Sequence, residues 1–314
     1  MASLRSKVLR FAIKHIAARN LTAQISPQAQ RARLEKASLP FWRSFKLSRR
    51  TVTANGVPAE WVVAENAEEN KALLYLHGGA YTFGSPKTHG DLVSRISHFC
   101  ALEVLIIDYR LAPEHPFPAA LEDATNAYQW LLEQGYLPEN IIIAGDSAGG
   151  GLTVATLINL REQGVALPAA GVCLSPWTDL CCEGDSQRTH EQLDPFLSSQ
   201  WLRDMAEHYI QSNDPRNPLI SPLYGDLKGL PPLLIQVGSD EVLLDDSVRL
   251  EQQALEDGVD VTLNVYQDMW HVWQIFAAIM PEAKEALIEI ADFTSNKISE
   301  ATYAKNEKGA ELVN

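Results

Sequence analysis

The apolar run Ile141-Ile142-Ile143-Ala144 passes into Gly145-Asp146-Ser147-Ala148-Gly149 and then, through Gly150-Gly151, into a helical pattern from Leu152 to Leu160. A continuous apolar run of this length reads as a buried parallel strand, so the chain must turn from strand to helix within a few residues. Such a turn forces its central residue into a strained backbone. Glycines at 145 and 149 let the neighbouring segments come close enough to permit it. The strain lifts the Ser147 hydroxyl above the carboxyl end of the sheet, beside the amino end of a helix, where backbone N–H groups favour developing negative charge. No other stretch constrains the fold as tightly.

A serine hydroxyl is a weak nucleophile at neutral pH and needs a base, an orienting acid and an oxyanion site. Residues 72–79, Ala-Leu-Leu-Tyr-Leu-His-Gly-Gly, form an apolar strand running into a glycine-bearing loop, whose side-chain-free backbone leaves N–H groups open to an oxyanion. His77 precedes the nucleophile and reads as an organiser of that loop. On an elbow of this type the partners follow in the order Ser, acid, His. Only His190, His208 and His271 lie beyond Ser147. The run Pro232 to Gly238 ends in a turn carrying Asp240, the expected acid, and only His271 lies beyond it. The competing carboxylates are Glu241, expected to point to the other side of the chain, and Asp245 and Asp246, which read as the first turn of a helix, where acids favour the dipole. Asp146, next to the nucleophile, is expected to hold the elbow or the His77 loop by hydrogen bonds.

Strand-like runs recur near 72–77, 103–109, 140–145, 171–175, 232–238 and 261–267, separated by helical stretches near 86–99, 118–134, 149–163 and 243–257. That alternation predicts an α/β fold: a mostly parallel sheet with helices on both faces. Runs at 50–54 and 58–64 around Asn55-Gly56 add an antiparallel edge, making eight strands. A helix over 281–298 closes the fold. The expected organisation is a first part of a helical cap at 1–45, a catalytic body at 46–178 and 216–302, a cap or lid excursion at 179–215, and a flexible tail at 303–314.

The motifs together resemble those of the bacterial hormone-sensitive-lipase-like esterases, an α/β-hydrolase family, in its Gly-Asp-Ser-Ala-Gly-Gly branch. The stretches that carry the likeness are His77-Gly78-Gly79, Asp108-Tyr109-Arg110-Leu111-Ala112-Pro113-Glu114, Gly145 to Gly150, and Ser239-Asp240 with His271. The resemblance implies an α/β-hydrolase fold and a carboxylesterase acting on short acyl esters, with Ser147, Asp240 and His271 as its triad. It also implies an oxyanion hole at the backbone N–H groups of Gly78, Gly79 and Ala148. Two positions depart from the family pattern: Ala80 stands where many members carry a third glycine, and no proline follows the acid.

Charge divides the chain. Residues 1–50 hold 12 Lys or Arg against one acid, a net +11, so the overall −14 leaves −25 on residues 51–314. A basic arm can bind nucleic acid or anionic lipid, but short amphipathic helices at 3–19 and 27–37 read better as a cap over an acidic body, with no nucleic-acid partner. No membrane span and no secretory signal are expected. Four cysteines, two of them adjacent, suit free thiols in the cytoplasm. No zinc, haem or phosphate-loop spacing is present, so neither metal nor cofactor is expected. The partner is a small-molecule ester, and a homodimer is left open. Substrate-lining candidates are Tyr81, Phe83, Trp177, Phe196, Trp201 and Trp270. A lactonase or another hydrolase on this scaffold, or a non-catalytic small-molecule receptor, stands as the alternative; the presence of His271 argues against a receptor.

Overall fold

A computed structural model describes residues 2–20, 26–37 and 46–311. Its centre is an eight-stranded sheet in the order β1-β2-β4-β3-β5-β6-β7-β8. The strands are β1 (Leu47–Ala54), β2 (Val57–Ala64), β3 (Ala72–Leu76), β4 (Glu103–Ile107), β5 (Ile141–Asp146), β6 (Ala170–Leu174), β7 (Leu233–Gly238) and β8 (Val261–Tyr266). β2 pairs antiparallel with both β1 and β4, and every pairing from β4 through β8 is parallel. Asn55 and Gly56 both take positive φ (46° and 89°), as a two-residue hairpin whose turn matches strand twist requires.

β3, β5, β6 and β7 are buried at every position because both faces of the sheet are covered. Leu73 and Tyr75 of β3, Val104 and Ile106 of β4, and Ile142 and Ala144 of β5 share one core cluster with α3 (Gly90–Cys100) and α9 (Pro281–Glu311). Leu74, Leu76, Leu105, Ile107 and Ile143, pointing the other way, pack with α4 (Ala119–Glu133), α5 (Ala148–Glu162) and α8 (Leu244–Glu256). The strand order reverses around β3, which lies between β4 and β5. In open α/β sheets, loops at the carboxyl ends of strands about such a point form the binding crevice.

Two helices precede the sheet, α1 (Leu4–Asn20) and α2 (Pro27–Ala37), close to the ranges the sequence suggests. Residues 21–25 and 38–45 of the expected cap lie outside the described residues. The excursion over 179–215 holds α6 (Ser186–Thr189) and α7 (Ser199–Ile210); Leu202, Met205 and Tyr209 of α7 join the core cluster beneath α4 and α5. The carboxyl end differs from expectation. Residues 303–311 continue α9 as helix rather than a flexible tail, and Lys305 Nζ pairs with Glu139 Oε1 at 2.5 Å. Residues 312–314 lie outside the described residues. Among the described residues no helix is long and apolar enough to cross a membrane.

The approach of α5 to β3 is set by Gly149. A Cβ there would stand 1.9 Å from the Leu76 carbonyl oxygen, a backbone atom that cannot swing away. Gly149→Ala should therefore cost about 3 kcal/mol, at the upper end for forcing atoms into a packed core. Gly164→Ala, at φ +68° with nothing within 4 Å, should cost about 1 kcal/mol for the left-handed backbone alone. Urea denaturation of the two variants gives the comparison, and equal losses would show that the elbow tolerates a wider spacing.

Candidate active site

Ser147 stands between β5 and α5 with φ 55° and ψ −122°. The strain is held by backbone bonds on both sides: Ser147 N–H donates to Leu174 C=O at 2.8 Å, and Trp177 N–H donates to Ser147 C=O at 2.9 Å. The hydroxyl lies at the amino end of α5, whose first N–H groups have no helical partner. Ser147 and His271 line the same cavity.

His271 follows β8 and is buried, and its Nδ1 lies 2.9 Å from Glu241 Oε2. An ionised carboxylate can only accept, so Nδ1 carries the proton and Nε2 is left as the basic nitrogen. This corrects the sequence reading, which assigned Asp240. Asp240 instead points outward, where its carboxylate pairs with Arg10 of α1 and accepts from Ser239 Oγ at 2.9 Å. The reason is local. Strand alternation ends at Gly238, and the turn that follows folds Glu241 back beneath the strand end. There Glu241 Oε1 accepts from Gly238 N–H at 2.6 Å and from Ser175 Oγ, at the end of β6, at 2.7 Å. Ser175 Oγ in turn accepts from Val272 N–H at 3.1 Å, beside the histidine. The other two carboxylates stay clear of the imidazole: Asp245 accepts from Ser186 N–H, and Asp246 from Thr178 and Asp179 N–H.

Burial disfavours a charged His271, but the Glu241 hydrogen bond and the negative charges of Glu241, Asp194 and Asp146 outweigh it and raise its pKa above the ordinary 6.5. Asp194 was not singled out in the sequence; it is buried beside this pair.

The loop after β3 is organised by Asp146, as the sequence suggests. Asp146 accepts from Tyr75 hydroxyl at 2.7 Å and Gly78 N–H at 3.0 Å, and its second oxygen lies 3.3 Å from His89 Nε2. Burial works against the Asp146 charge, yet His89, Tyr75 and Gly78 lower its pKa below the usual carboxylate value. His89 is raised correspondingly, its own burial being outweighed by Asp146. His77 stacks on Tyr109 at 4.1 Å between ring centroids, and burial pushes its pKa down to about 3, so it stays neutral. Its Nδ1 lies 2.9 Å from Gly78 C=O, which fits a loop organiser.

The bond from Gly78 to Asp146 changes the expected oxyanion set, because that N–H is already committed. Gly79 and Ala80, both with positive φ (123° and 49°), donate to no acceptor among the described residues, and both line the cavity. Ala148 opens α5. Ala80 is therefore a donor candidate outside the set that the resemblance implies, at the position where many members carry a third glycine.

The cavity has a volume of about 310 Å³. Of the six aromatic candidates, Phe83, Phe196 and Trp201 line it, together with Leu34, Val272 and Ile275. The other three fill core. Tyr81 stacks on Tyr209 at 3.8 Å, Trp177 is fully buried with its indole N–H on Asp179 C=O, and Trp270 is fully buried against Phe276. Large aromatics at a strand end pack inward as readily as they face a ligand, and residue type alone does not separate the two.

Residues 73–275 match a family model described as the alpha/beta hydrolase fold. An acetyl-hydrolase of Streptomyces hygroscopicus is 51% identical over 240 residues, covering 76% of this chain and 80% of its own. An esterase of Acinetobacter venetianus is 38% identical over 273 residues, covering 87% and 90%. Among solved structures, an esterase from the bacterial hormone-sensitive lipase family superposes with a TM-score of 0.90 at 45% identity, covering 95% of this chain and 99% of that one.

Proposed function

This chain belongs to the alpha/beta hydrolase fold family, among its carboxylic ester hydrolases, and we propose that it cleaves short acyl esters with Ser147 as nucleophile, His271 as base and Glu241 as the orienting acid. The observation that carries this reading is the buried Glu241–His271 pair, which fixes the imidazole tautomer beside a strained serine in one cavity. Nε2 takes the Ser147 proton as the hydroxyl attacks the ester carbonyl, and Glu241 stabilises the imidazolium that forms. The developing oxyanion is received by the N–H groups of Gly79, Ala80 and Ala148. His271 then returns the proton to the departing alcohol, and water, activated the same way, releases the acyl group.

The cavity volume, at the lower end of the ~300–1,000 Å³ usual for small-molecule pockets, and the walls of Phe83, Phe196 and Trp201 support a short acyl group over a long one. We assign cap roles to the amino-terminal helices and the 179–215 excursion. Leu34 of α2 lines the cavity together with Phe196 and Trp201 of the excursion. Arg31 secures α2 to the oxyanion loop by donating to Thr82 C=O and Ala112 C=O, each at 2.6 Å, and pairs with Glu114, whose carboxyl it holds down to about 2. Four free cysteines support a cytoplasmic location.

Glu241→Gln should lower kcat by about 10⁴-fold, because a neutral amide admits the wrong imidazole tautomer, whereas Asp240→Asn should stay within about tenfold of wild type. Steady-state hydrolysis of p-nitrophenyl acetate by both variants decides the assignment, and the reverse order of damage would return the role to Asp240. A second expectation concerns pH. Only neutral His271 can accept the serine proton, and its pKa is raised, so the acid limb of kcat/KM should have its midpoint above 6.5. A limb centred below that value would contradict the electrostatics of the site.

A further inference from the structure

Asp194 is a buried carboxylate behind the cavity wall for which the reaction above has no use. One oxygen accepts from Phe196 N–H at 2.8 Å and Leu197 N–H at 3.0 Å, both residues that line the cavity. The other oxygen accepts from Val242 N–H at 3.2 Å, the residue directly after Glu241. One side chain thus ties the wall of the substrate cavity to the turn that carries the acid. The same two segments are joined again from outside by α1. Arg10 donates to Leu193 C=O at 2.6 Å and pairs with Asp240, so it grips the residue before Asp194 and the residue before Glu241. Glu241 therefore sits between two cross-braces, one buried and one at the surface.

We propose that Asp194 is a positioning residue for the His271–Glu241 pair, and that Arg10 braces the same turn from the amino-terminal helix. The inference rests on Glu241 being the acid. Its geometric consequence is that the acid turn and the pocket wall move together, so loosening either brace misaims the imidazole; a misplacement of about 1 Å is worth up to about 10²-fold in rate. There is also an electrostatic consequence. Burial pushes the Asp194 carboxyl up to about 6 against the pull of His271, so Asp194 is charged at and above neutral pH. The charged groups that act on His271 are Glu241 from the β7 turn, Asp194 from the excursion and Asp146 from the elbow. All three favour the imidazolium. Removing one lowers the histidine pKa and widens the active range on the acid side.

Asp194→Asn retains the shape and an acceptor for the Phe196 and Leu197 N–H groups, while removing the charge and setting an amide N–H against Val242 N–H. Expected are a fall in kcat of about tenfold and a shift of the acid limb of kcat/KM by about half a pH unit toward lower pH. A fall in kcat with the acid limb unmoved would mark general damage and overturn the assignment, as would kcat and pH profile both at wild type. Because Asp194 is buried, the partly exposed Arg10 supplies a second arm. Arg10→Met should lower kcat several-fold with an unchanged melting temperature, and Arg10→Lys should restore part of it. Lys14→Met, which removes only a contact to Gln192 C=O, should match wild type. Full activity in Arg10→Met would contradict the outer brace. Glu241→Gln is measured in parallel. If it stays active, the assignment of the acid itself fails; if it is inactive while Asp194→Asn behaves as wild type, only the positioning role fails.

Discussion

The geometry around His271 depends on a carboxylate, Glu241, held entirely out of water at the end of β7. A buried, unpaired Glu241 would cost several kcal/mol in lost hydration. Three contacts with strand ends and the histidine loop offset that cost: Gly238 N–H and Ser175 Oγ on Oε1 and His271 Nδ1 on Oε2, with Val272 N–H held in turn by Ser175. Each contact comes from a different strand end or from the loop after β8. The parallel register of β6, β7 and β8 therefore sets the aim of the imidazole. The sheet serves as the ruler for the site.

Asp146 plays the matching part on the other side of the serine. Its oxygens bind Tyr75, Gly78 and His89, and so shape the loop whose Gly79 and Ala80 line the cavity. The two carboxylates divide the positioning: one holds His271, the other holds the loop after β3. The amino-terminal helices touch both assemblies, α1 through Arg10 at Asp240 and α2 through Arg31 at Thr82 and Ala112. Their positive charge, set against a strongly acidic body, is used at these points.

How far the sequence could be read follows from the range of the forces involved. The elbow, the parallel strands and the Asn55-Gly56 hairpin are written in local periodicity and turn chemistry, and they match the structure to within a few residues. That Ser147 and His271 come to one cavity was legible because chain order and a strand-to-helix turn leave few alternatives. Glu241 was not. Its neighbour Asp240 sits in the same turn, and the choice between them depends on which side chain can reach Ser175 and Gly238, which is tertiary information. The capture of the Gly78 N–H by Asp146 was hidden for the same reason, since it is visible only once β3 and β5 lie side by side. The split of the aromatics, with Phe83, Phe196 and Trp201 at the cavity and Tyr81, Trp177 and Trp270 in the core, depends on packing around them. Over 303–311 the sequence suggests a tail, yet the helix continues, with Lys305 fastened to Glu139.

The proton between His271 and Glu241 can be observed directly. A charge-assisted hydrogen bond from Nδ1 to a buried carboxylate shields its proton from exchange and should give a far-downfield proton resonance in the NMR spectrum of the resting protein. That resonance should be absent from Glu241→Gln and present in Asp240→Asn. A resonance that survives in Glu241→Gln and vanishes in Asp240→Asn would contradict the central claim that the buried glutamate orients the histidine.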